Sequence, residues 1–426
     1  MIFDHRNAVG FCLKVFGIVL SLLFCASLLP AEETRLFVPS YEGDELAKIR
    51  QWEKTWAGKR IDTTNADQLK DFLLPIQLQV LKDPKYMNAD EYWFELVPYR
   101  QASYSTGQME MTKKCAPIAK LDGDLLVDYR NMAGFVFPEP KTGVEAMYNF
   151  DMQTRGDSRQ EVPDGYVVEP RTGICRGQSR NRIEMSWAGR AFSDPYPVLP
   201  DNPKDFRRTL FSKLLSPPDF VDNGILEIKY NDINREDDEW FWMARFRRIR
   251  RISQAQRGDN IDGTEMIRDD TDGWYDHVNR NTYKLLGRQE LLSVRHQDLA
   301  KLKWIKKSGV YNGLQRERVK TYAVEAVYKE PHYTYGKQIF YLDPEQWNIL
   351  IKRTWDEEGN EWRCNENMYM RQKTINGEYA YVPAGTLNWD QIGRHASLNF
   401  IKWVKDIGKI FPTRTFTVHN LQKLAY

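Results

Sequence analysis

Residues 237–252 read Asp-Asp-Glu-Trp-Phe-Trp-Met-Ala-Arg-Phe-Arg-Arg-Ile-Arg-Arg-Ile, with an acidic start, an aromatic centre and an arginine-rich end. A helix would spread these arginines around its whole surface, whereas a strand places alternate residues on opposite faces. As one long strand, the stretch sets Trp240, Trp242 and Phe246 along a single face. We therefore expect a strand whose aromatic end needs cover on both faces, or a cavity beside it.

Composition limits the classes of function. The chain has 426 residues, of which 42% are hydrophobic and 13% aromatic, so it can build a large core. Aromatic residues favour pleated, half-buried surfaces and large concave sites. The net charge is only +2, which provides no overall field to attract nucleic acid or anionic lipid. The arginine cluster is therefore a local feature, and nucleic acid is not an expected partner.

The N-terminus has the pattern of a secretory signal peptide. Arg6 and Lys14 precede an uncharged apolar run over residues 15–29, and Ala31 offers a cleavage site. Such a run is too short for a comfortable transmembrane helix and fits a signal sequence. The sequence predicts a signal peptide over residues 1–31 and a soluble mature chain in the periplasm. An uncleaved membrane anchor is the alternative.

The mature chain keeps three cysteines, Cys115, Cys175 and Cys364. An oxidising compartment allows two of them to pair. Cys115 and Cys175 are the preferred pair because both lie in loop-like surroundings that contain glycine or proline. None of the three has the spacing of metal ligands, and no metal or cofactor is expected.

Helical patterns occur at both ends of the mature chain. A charged amphipathic stretch predicts a helix from Glu45 to Trp56, and an apolar face predicts a second from Asn65 to Leu81, with a kink or break at Pro75. Residues 201–215 are expected to be helical or irregular. Residues 388–407 are expected to form a late helix.

Strand patterns dominate from about residue 225. The clearest are residues 225–230, 283–292 and 322–328, followed by a hairpin of 337–342 with 347–354 and a second that turns at 356–360. Successive antiparallel hairpins indicate a large meander. The sequence therefore predicts one mainly β domain with helices (α+β) over residues 32–426, in which a curved antiparallel sheet carries helices on one face.

Catalytic motifs are missing from the sequence. It contains no glycine-rich phosphate loop, no GxSxG elbow and no HExxH motif, and its six histidines are scattered. Residues 269–273 weakly resemble a calcium loop, but Arg268 stands where the first ligand belongs, so a polar turn is the better interpretation. We predict no catalytic residue and no metal site.

A second stretch resembles a known family. Residues 133–150 read Ala-Gly-Phe-Val-Phe-Pro-Glu-Pro-Lys-Thr-Gly-Val-Glu-Ala-Met-Tyr-Asn-Phe, which is similar to the G-x-P-F-P-x-P-x-x-G-x-E-x-x-W-N signature of the secreted bacterial family named domain of unknown function 1329. Asp238-x-Trp240 with the run from Arg247 to Arg251 resembles the family's D-x-W…R-R-V-R-R strand. Further matches follow in the family's order to about residue 365.

The resemblance implies a fold similar to the LolA/LolB lipoprotein carriers, an unclosed antiparallel barrel with helices covering its concave face. Members are often labelled outer membrane lipoprotein-sorting proteins and are often encoded near exporters of the resistance-nodulation-division class. A shared fold does not establish a shared function. The family has no established catalytic residues, so none is carried over.

From these patterns we expect a periplasmic carrier or chaperone for a lipid, a lipoprotein acyl chain or another apolar compound. Trp240, Trp242 and Phe246 are expected to line its ligand site. For the basic cluster, Arg247, Arg248, Arg250 and Arg251, two interpretations stay open. It either holds the strand end, for example through ion pairs with the acidic loop 269–272, or meets an anionic partner surface or lipid headgroup.

Two functions of other classes remain as alternatives. One is a non-catalytic adaptor or structural partner of an envelope transporter, which bulky side chains filling the barrel would favour. The other is a periplasmic hydrolase, which requires a nucleophile, a base and an acid that converge near His277, His296 or His332. Transient contact with a membrane is compatible with the carrier and with the adaptor.

Overall fold

The computed structural model of the chain describes residues 35–253 and 256–423. The predicted signal peptide lies outside the described residues, and the single domain over residues 32–426 stays a prediction. None of the helices in the described part combines the length and hydrophobicity that a bilayer crossing requires.

The described residues contain five α-helices. They are α1 Gly43–Trp56, α2 Pro75–Lys82, α3 Thr106–Cys115, α4 Gly143–Met152 and α5 Val418–Lys423. The first confirms the prediction for residues 45–56. The second predicted helix is divided: a 3-10 turn covers Ala66–Phe72, and α2 begins at Pro75, because proline lacks the N–H that the first helical position leaves unpaired.

The described residues also form nineteen strands. They are β1 Arg60–Ile61, β2 Phe94–Leu96, β3 Leu121–Asp122, β4 Leu125–Leu126, β5 Ser158–Glu169, β6 Ile174–Ser186, β7 Phe206–Ser216, β8 Gly224–Tyr230, β9 Asp238–Met243, β10 Arg248–Arg251, β11 Asn281–Ser293, β12 Lys303–Trp304, β13 Tyr311–Asn312, β14 Leu314–Tyr328, β15 Lys337–Leu342, β16 Ile349–Trp355, β17 Glu361–Lys373, β18 Tyr379–Asp390 and β19 His395–Lys405.

Fifteen of these strands form one large sheet. Its main path runs β11-β14-β15-β16-β17-β18-β19-β5-β6-β7-β8-β9-β10, and all these neighbours are antiparallel. Strand β2 joins β14 in parallel. The strands β10 and β11 each have one neighbour, so the sheet does not close. The predictions of a mainly β chain with helices and of a large unclosed sheet are confirmed.

The hairpins predicted over residues 337–363 are confirmed. Two other regions were predicted to contain no strand, and both predictions are wrong. Residues 206–216 form β7, where a helical or irregular segment was expected, and residues 395–405 form β19 in place of a late helix. Both strands lie inside the sheet, and Leu398 of β19 faces Tyr166 of β5. Pairing with strands far away in the sequence outweighs the local helical spacing.

The stretch 237–252 is a hairpin and not the single long strand that we expected. Strand β9 ends at Met243, a 3-10 turn covers Ala244–Phe246, and Arg251 of β10 returns opposite Trp240. Arg247 closes the turn with a φ of +50°, in the left-handed region that allows the chain to reverse within a few residues. Phe246 therefore lies in the turn and not on the face of Trp240 and Trp242.

Two apolar clusters stabilise the sheet. The larger joins α2, α3 and α4 to strands from β11 through β19. The smaller lies under the C-terminal segment, where Phe416 and Leu421 pack with Trp187, Leu226 and Trp242. A Cβ at Gly224 would lie 2.7 Å from Cδ1 of Leu421, so a glycine is needed where α5 approaches the sheet so closely.

The expected disulfide is wrong. Cys115, Cys175 and Cys364 are all free thiols. Cys115 ends α3 inside the larger core cluster, whereas Cys175 lies half-exposed on β6 and Cys364 is buried on β17. The three thiols lie on three different elements, α3, β6 and β17. Burial raises the pKa of the Cys115 and Cys364 thiols, which makes both poor nucleophiles.

Candidate functional site

After β10 the chain leaves the sheet and crosses one of its faces before it returns as β11. We call residues 256–280 the covering segment. Its side chains reach strands that are far apart in the sheet: Asp272 contacts β5 and β6, Arg268 contacts β8 and β9, and Asp270 contacts β16. The covering segment therefore spans about half of the sheet and is attached to it chiefly by charged groups.

A cavity of about 150 Å³ lies between the covering segment and the strands β5–β8, β18 and β19. Its apolar wall comes from both sides and consists of Pro163, Tyr166, Leu210, Ile225, Ile261, Met266, Pro383, Leu398 and Ile401. Its charged wall consists of Glu161, Arg180, Arg182, Glu227, Arg268 and Asp272. The cavity can hold a small group with an apolar body and a polar end. It is smaller than most ligand pockets, which have volumes of about 300–1,000 Å³.

Asp272 is the centre of the charged wall. Its Oδ2 lies 3.0 Å from Nη2 of Arg159 and 3.1 Å from Nη2 of Arg182. The same two arginines contact Glu161 and Glu184 at 2.9 to 3.2 Å. Burial by itself would raise the pKa of Asp272, but Arg182 and Arg159 outweigh it and hold that pKa well below its usual range.

The local backbone places Asp272 in this position. Asp272 has a φ of +52° and Gly273 a φ of +95°, so two consecutive residues adopt the left-handed region. Aspartate tolerates that region better than most residues, and glycine adopts it freely. A Cβ at Gly273 would lie 3.0 Å from Cβ of Ile349. This turn is therefore specified by the pair Asp272-Gly273.

A second cluster of charged residues attaches both ends of the covering segment to Asp237. Arg257 donates from Nε to Asp269 at 2.8 Å and lies 3.2 Å from Asp237, just before β9. Nε2 of His277 lies 2.8 Å from the other oxygen of Asp237. Burial would raise the pKa of Asp237, but His277, Lys229 and Arg257 together lower it. The first and last turns of the cover thus meet at one carboxylate.

The aspartates of the acidic loop 269–272 pair with basic residues outside the cluster 247–251, so the expected example of ion pairs between loop and cluster is not confirmed, and the role of the cluster at the strand end stays a prediction. Asp269 pairs with Arg257, and Asp272 pairs with Arg159 and Arg182. Asp270 contacts Lys352 and accepts a hydrogen bond of 2.8 Å from the Tyr335 hydroxyl. Asp270 and Asp272 thus bind basic residues of the sheet, and Asp269 binds a basic residue of the covering segment itself, because the loop folds onto the sheet.

The basic cluster is brought together on the edge hairpin. Arg247, Arg248, Arg250 and Arg251 are all exposed there. Arg251 pairs with Asp238, and Nη2 of Arg250 donates to Gln256 at 3.2 Å. The cluster is accessible to a partner, and its role in binding one stays a prediction.

The three residues predicted to line a ligand site lie in two different places in the structure. Trp242 is buried under α5, with its indole Nε1 unpaired, and Trp240 packs beside it. They lie opposite Gly224 and Leu226, on the face of β8 away from Glu227 and the cavity. Phe246 is 67% exposed in the hairpin turn. None of the three lines the cavity, and their role in ligand binding stays a prediction.

The charged residues that line the cavity were not among the residues predicted from the sequence. Arg159 with Glu161, and Arg182 with Glu184, each stand two positions apart, and the pairs face one another across β5 and β6. Opposite charges two positions apart in a strand can indicate ion pairs on one face of the sheet, because such side chains point to the same side. The signal was hidden because residues 151–208 carry weak strand patterns.

The histidines form isolated pairs. Nδ1 of His296 lies 2.6 Å from Glu317 and its Nε2 lies 3.3 Å from the Tyr381 hydroxyl, while His332 is exposed on the surface. Neither His277 nor His296 has a serine or cysteine among its hydrogen-bond partners in the described chain. Across residues 35–253 and 256–423, no three His, Cys, Asp or Glu side chains are grouped to hold a metal ion.

Comparison with known families gives one match. The family described as "Protein of unknown function (DUF1329)" matches residues 60–403, which is most of the chain. No curated protein matches.

Solved structures that are similar to the chain include three from different bacteria. The first, a Vibrio parahaemolyticus domain whose name proposes outer membrane lipoprotein sorting, is 10% identical with a TM-score of 0.48, covering 66% of this chain and 98% of that one. A DUF1329 family protein from Desulfovibrio piger is 11% identical with a TM-score of 0.46, covering 65% and 98%. A LolA superfamily protein from Nitrosomonas europaea is 12% identical with a TM-score of 0.41, covering 66% and 100%.

Proposed function

This chain belongs to the DUF1329 family, and we propose that it is a non-catalytic periplasmic carrier that holds an apolar or amphipathic ligand under the covering segment. The observation that carries this proposal is the cavity between the covering segment and the sheet. Leu210 and Ile225 supply its apolar wall from the strands, and Ile261 and Met266 supply it from the cover. Each CH₂ group that a ligand buries there contributes about 0.8 kcal/mol.

The polar wall selects the kind of ligand. Arg182 and Asn388 both line the cavity, and Nε of Arg182 and Oδ1 of Asn388 are buried with no hydrogen-bond partner among the described residues. Buried polar atoms without partners cost about 1–3 kcal/mol each, so a ligand that pairs with them gains affinity. A molecule with an apolar body and one polar or charged end satisfies both walls, as a lipid or an acyl compound does.

Loading requires the cover to move. The cavity of about 150 Å³ is smaller than the pockets that usually hold lipids or drugs. A chain of about 16 carbons would gain roughly 10 kcal/mol on burial before ordering costs, enough to offset the separation of several contacts. We propose that residues 256–272 lift from the sheet, with Gly273 as the hinge and the buried Trp274 as the fixed point.

Native mass spectrometry with solvent extraction tests the carrier. The protein is purified gently from the periplasm of its own host, and a reproducible bound lipid or hydrocarbon is the expected result. A clean apo mass, with no uptake of offered lipids, would contradict the proposal.

An adaptor is the second candidate, and one observation favours it. The covered face of the sheet is largely filled by ion pairs, which leave only the small cavity. In that case the exposed arginines of the β9–β10 hairpin would meet an anionic surface of an envelope exporter, such as one of the resistance-nodulation-division class. The apo result above, together with co-purification of the exporter, would support the adaptor. Reversal of Arg248 and Arg250 to glutamate would then abolish co-purification.

A further inference from the structure

One end of the sheet collects the tips of six hairpins, and four of them lie next to one another between β18 and β10. The register of β5 to β10 is antiparallel throughout, so alternate turns lie at the same end. Residues 170–173, 217–223 and 244–247 are three such turns. The β18–β19 turn, residues 391–394, joins them because Ala396 faces Val168 at the end of β5. We call these four turns and the strand residues next to them the tip surface.

The tip surface concentrates exposed apolar side chains. Among the described residues, thirteen large hydrophobic side chains are exposed, and six belong to this surface: Ile174, Leu215, Phe220, Val221, Phe246 and Ile392. Phe246 is the most exposed of them at 67%, and Ile174 and Ile392 are each 54% exposed. Single exposed apolar residues are normal, but a group on one surface marks an interaction site.

A basic loop adjoins this surface. Asn88 donates from Nδ2 to the carbonyl of Lys307 at 2.7 Å, and the same Nδ2 lies 3.6 Å from the position that a Cβ of Gly173 would take. The tyrosine hydroxyl of Tyr86 donates to the carbonyl of Gln391 at 3.3 Å. The loop 303–308 therefore lies beside the turns 170–173 and 391–394.

Positive charge surrounds the apolar tips. Residues 169–176, 215–223, 244–248, 303–308 and 390–395 together carry nine Lys or Arg and four Asp or Glu, in a chain that has 61 and 59 overall. Three further acids, Asp356, Glu357 and Glu358, lie in the neighbouring β16–β17 turn, outside the tip surface. Asp222, one of the four acids of the tip surface, lies 2.5 Å from Lys213. The charge of the whole protein is nearly balanced, so this local excess is a property of the tip surface.

We propose that the tip surface docks on an anionic lipid bilayer, with its isoleucines and phenylalanines entering the interface and its lysines and arginines meeting the headgroups. The apolar side chains are distributed over four turns and the strand ends beside them. A fluid interface admits each tip separately. Stable membrane attachment takes an apolar and a basic component together, and this surface has both. The inference stands whether or not the cavity holds a ligand.

Vesicle flotation tests the proposal with the mature chain. The probes are vesicles of phosphatidylglycerol and phosphatidylcholine in equal parts, and vesicles of phosphatidylcholine alone. We expect the protein to float with the anionic vesicles only. Lys306→Gln with Lys307→Gln should weaken binding roughly thirtyfold, because each cation near an anionic surface contributes about fivefold. Lys113→Gln with Lys120→Gln changes the net charge equally elsewhere and should leave binding unaltered.

The apolar component has its own variant pair. Phe246→Ser with Ile392→Ser should reduce flotation by about tenfold or more, since each loses buried apolar area at the interface. Leu286→Ser with Ile375→Ser alters two exposed residues outside the tip surface and should retain binding. All four positions are exposed, so the variants should fold, and circular dichroism checks this. The proposal is overturned if the wild-type protein does not float with anionic vesicles, or if the test and control pairs lose binding equally. The first of these results would point to an acidic protein partner.

Discussion

At the scale of single residues, the covered face of the sheet depends on charged side chains that have left water. Arg159, Glu161 and Asp272 are almost fully buried and lie within one network. Breaking one member of such a network leaves the others uncompensated, which costs far more than an exposed ion pair contributes. The same network forms one wall of the cavity, so stability and ligand capacity are linked at these positions.

Asp272→Asn should lower the free energy of unfolding by about 3–5 kcal/mol at neutral pH, because Arg159 and Arg182 lose their shared carboxylate. Urea unfolding measures the loss. Asp219→Asn, at an exposed position, should stay within about 0.5 kcal/mol of wild type. If both substitutions changed the free energy of unfolding equally, the buried network would not have the stabilising role that we assign to it.

The pH dependence of that loss follows from the lowered pKa of Asp272. An acid whose folded pKa lies below its unfolded value of about 3.9 stabilises the protein at higher pH, and the contribution disappears as pH falls through the folded pKa. The difference between wild type and Asp272→Asn should therefore stay constant from neutral pH to about pH 5 and shrink below about pH 4. Unfolding curves across this range provide the check. A difference that grows on acidification would rule out this account.

Leu210→Trp should fill the cavity from β7 and reduce the retained ligand by about tenfold or more, because the indole occupies the space that the ligand needs. Quantification of extracted lipid by mass spectrometry measures this. Leu215→Trp is the matched control on the same strand, since Leu215 is 45% exposed and does not line the cavity. Unchanged retention in a folded Leu210→Trp protein would remove this cavity from the ligand site.

At the scale of elements, short segments that lie on the sheet decide what is accessible. The C-terminal helix α5 covers the cluster that contains Trp242, and Leu421 fits where Gly224 leaves room. On the other face, the covering segment closes the cavity through ion pairs. The two covers differ in chemistry: one is held by apolar packing and the other mostly by charge. We therefore expect salt and pH to affect the second cover more than the first.

Leu421→Ala should destabilise the protein by about 2–5 kcal/mol, because it opens a cavity between α5 and the sheet. Urea unfolding followed by circular dichroism measures the loss of stability. The neighbouring Gln422→Ala, at an exposed position, should change little. If the two variants behaved alike, α5 would have no stabilising role over this cluster.

At the scale of the whole molecule, the open sheet leaves three strands with a single neighbour, β1, β10 and β11. Exposed edges invite pairing between molecules, and natural proteins protect them with charged residues. Strand β10 is short and carries Arg248, Arg250 and Arg251. This explains part of the basic cluster without a partner, since repulsion between like edges keeps the sheet from extending to a second molecule.

Arg248→Thr with Arg250→Thr should promote self-association through β10, because threonine favours strands and removes the repulsion. Light scattering coupled to size-exclusion chromatography should show dimers or larger species at concentrations where the wild type is monodisperse. Arg171→Thr with Arg176→Thr removes the same charge from positions off the edge strand and should not. Association of both variants to the same extent would mean that net charge, and not the edge, controls solubility.

What the sequence determined by itself was local. The amphipathic spacing of residues 45–56 and the hairpins over residues 337–363 were both predicted, and the structure has both. Turn residues and the alternation of side chains act within a few positions, so a single sequence is enough to recognise them. The resemblance of residues 133–150 and 238–251 to a known family also correctly indicated the large unclosed sheet.

What only the tertiary structure decided depends on partners far away along the chain. Strand β19 replaces a predicted helix because β5 pairs with it from about 230 residues earlier. The turn at Arg247 divides the aromatic stretch, and so it separates Phe246 from Trp240 and Trp242. The cavity exists because the covering segment folds across strands whose charges complement its own. Burial and ion pairing between such distant residues are set by the packing of the whole sheet, so local sequence patterns do not show which of these residues meet.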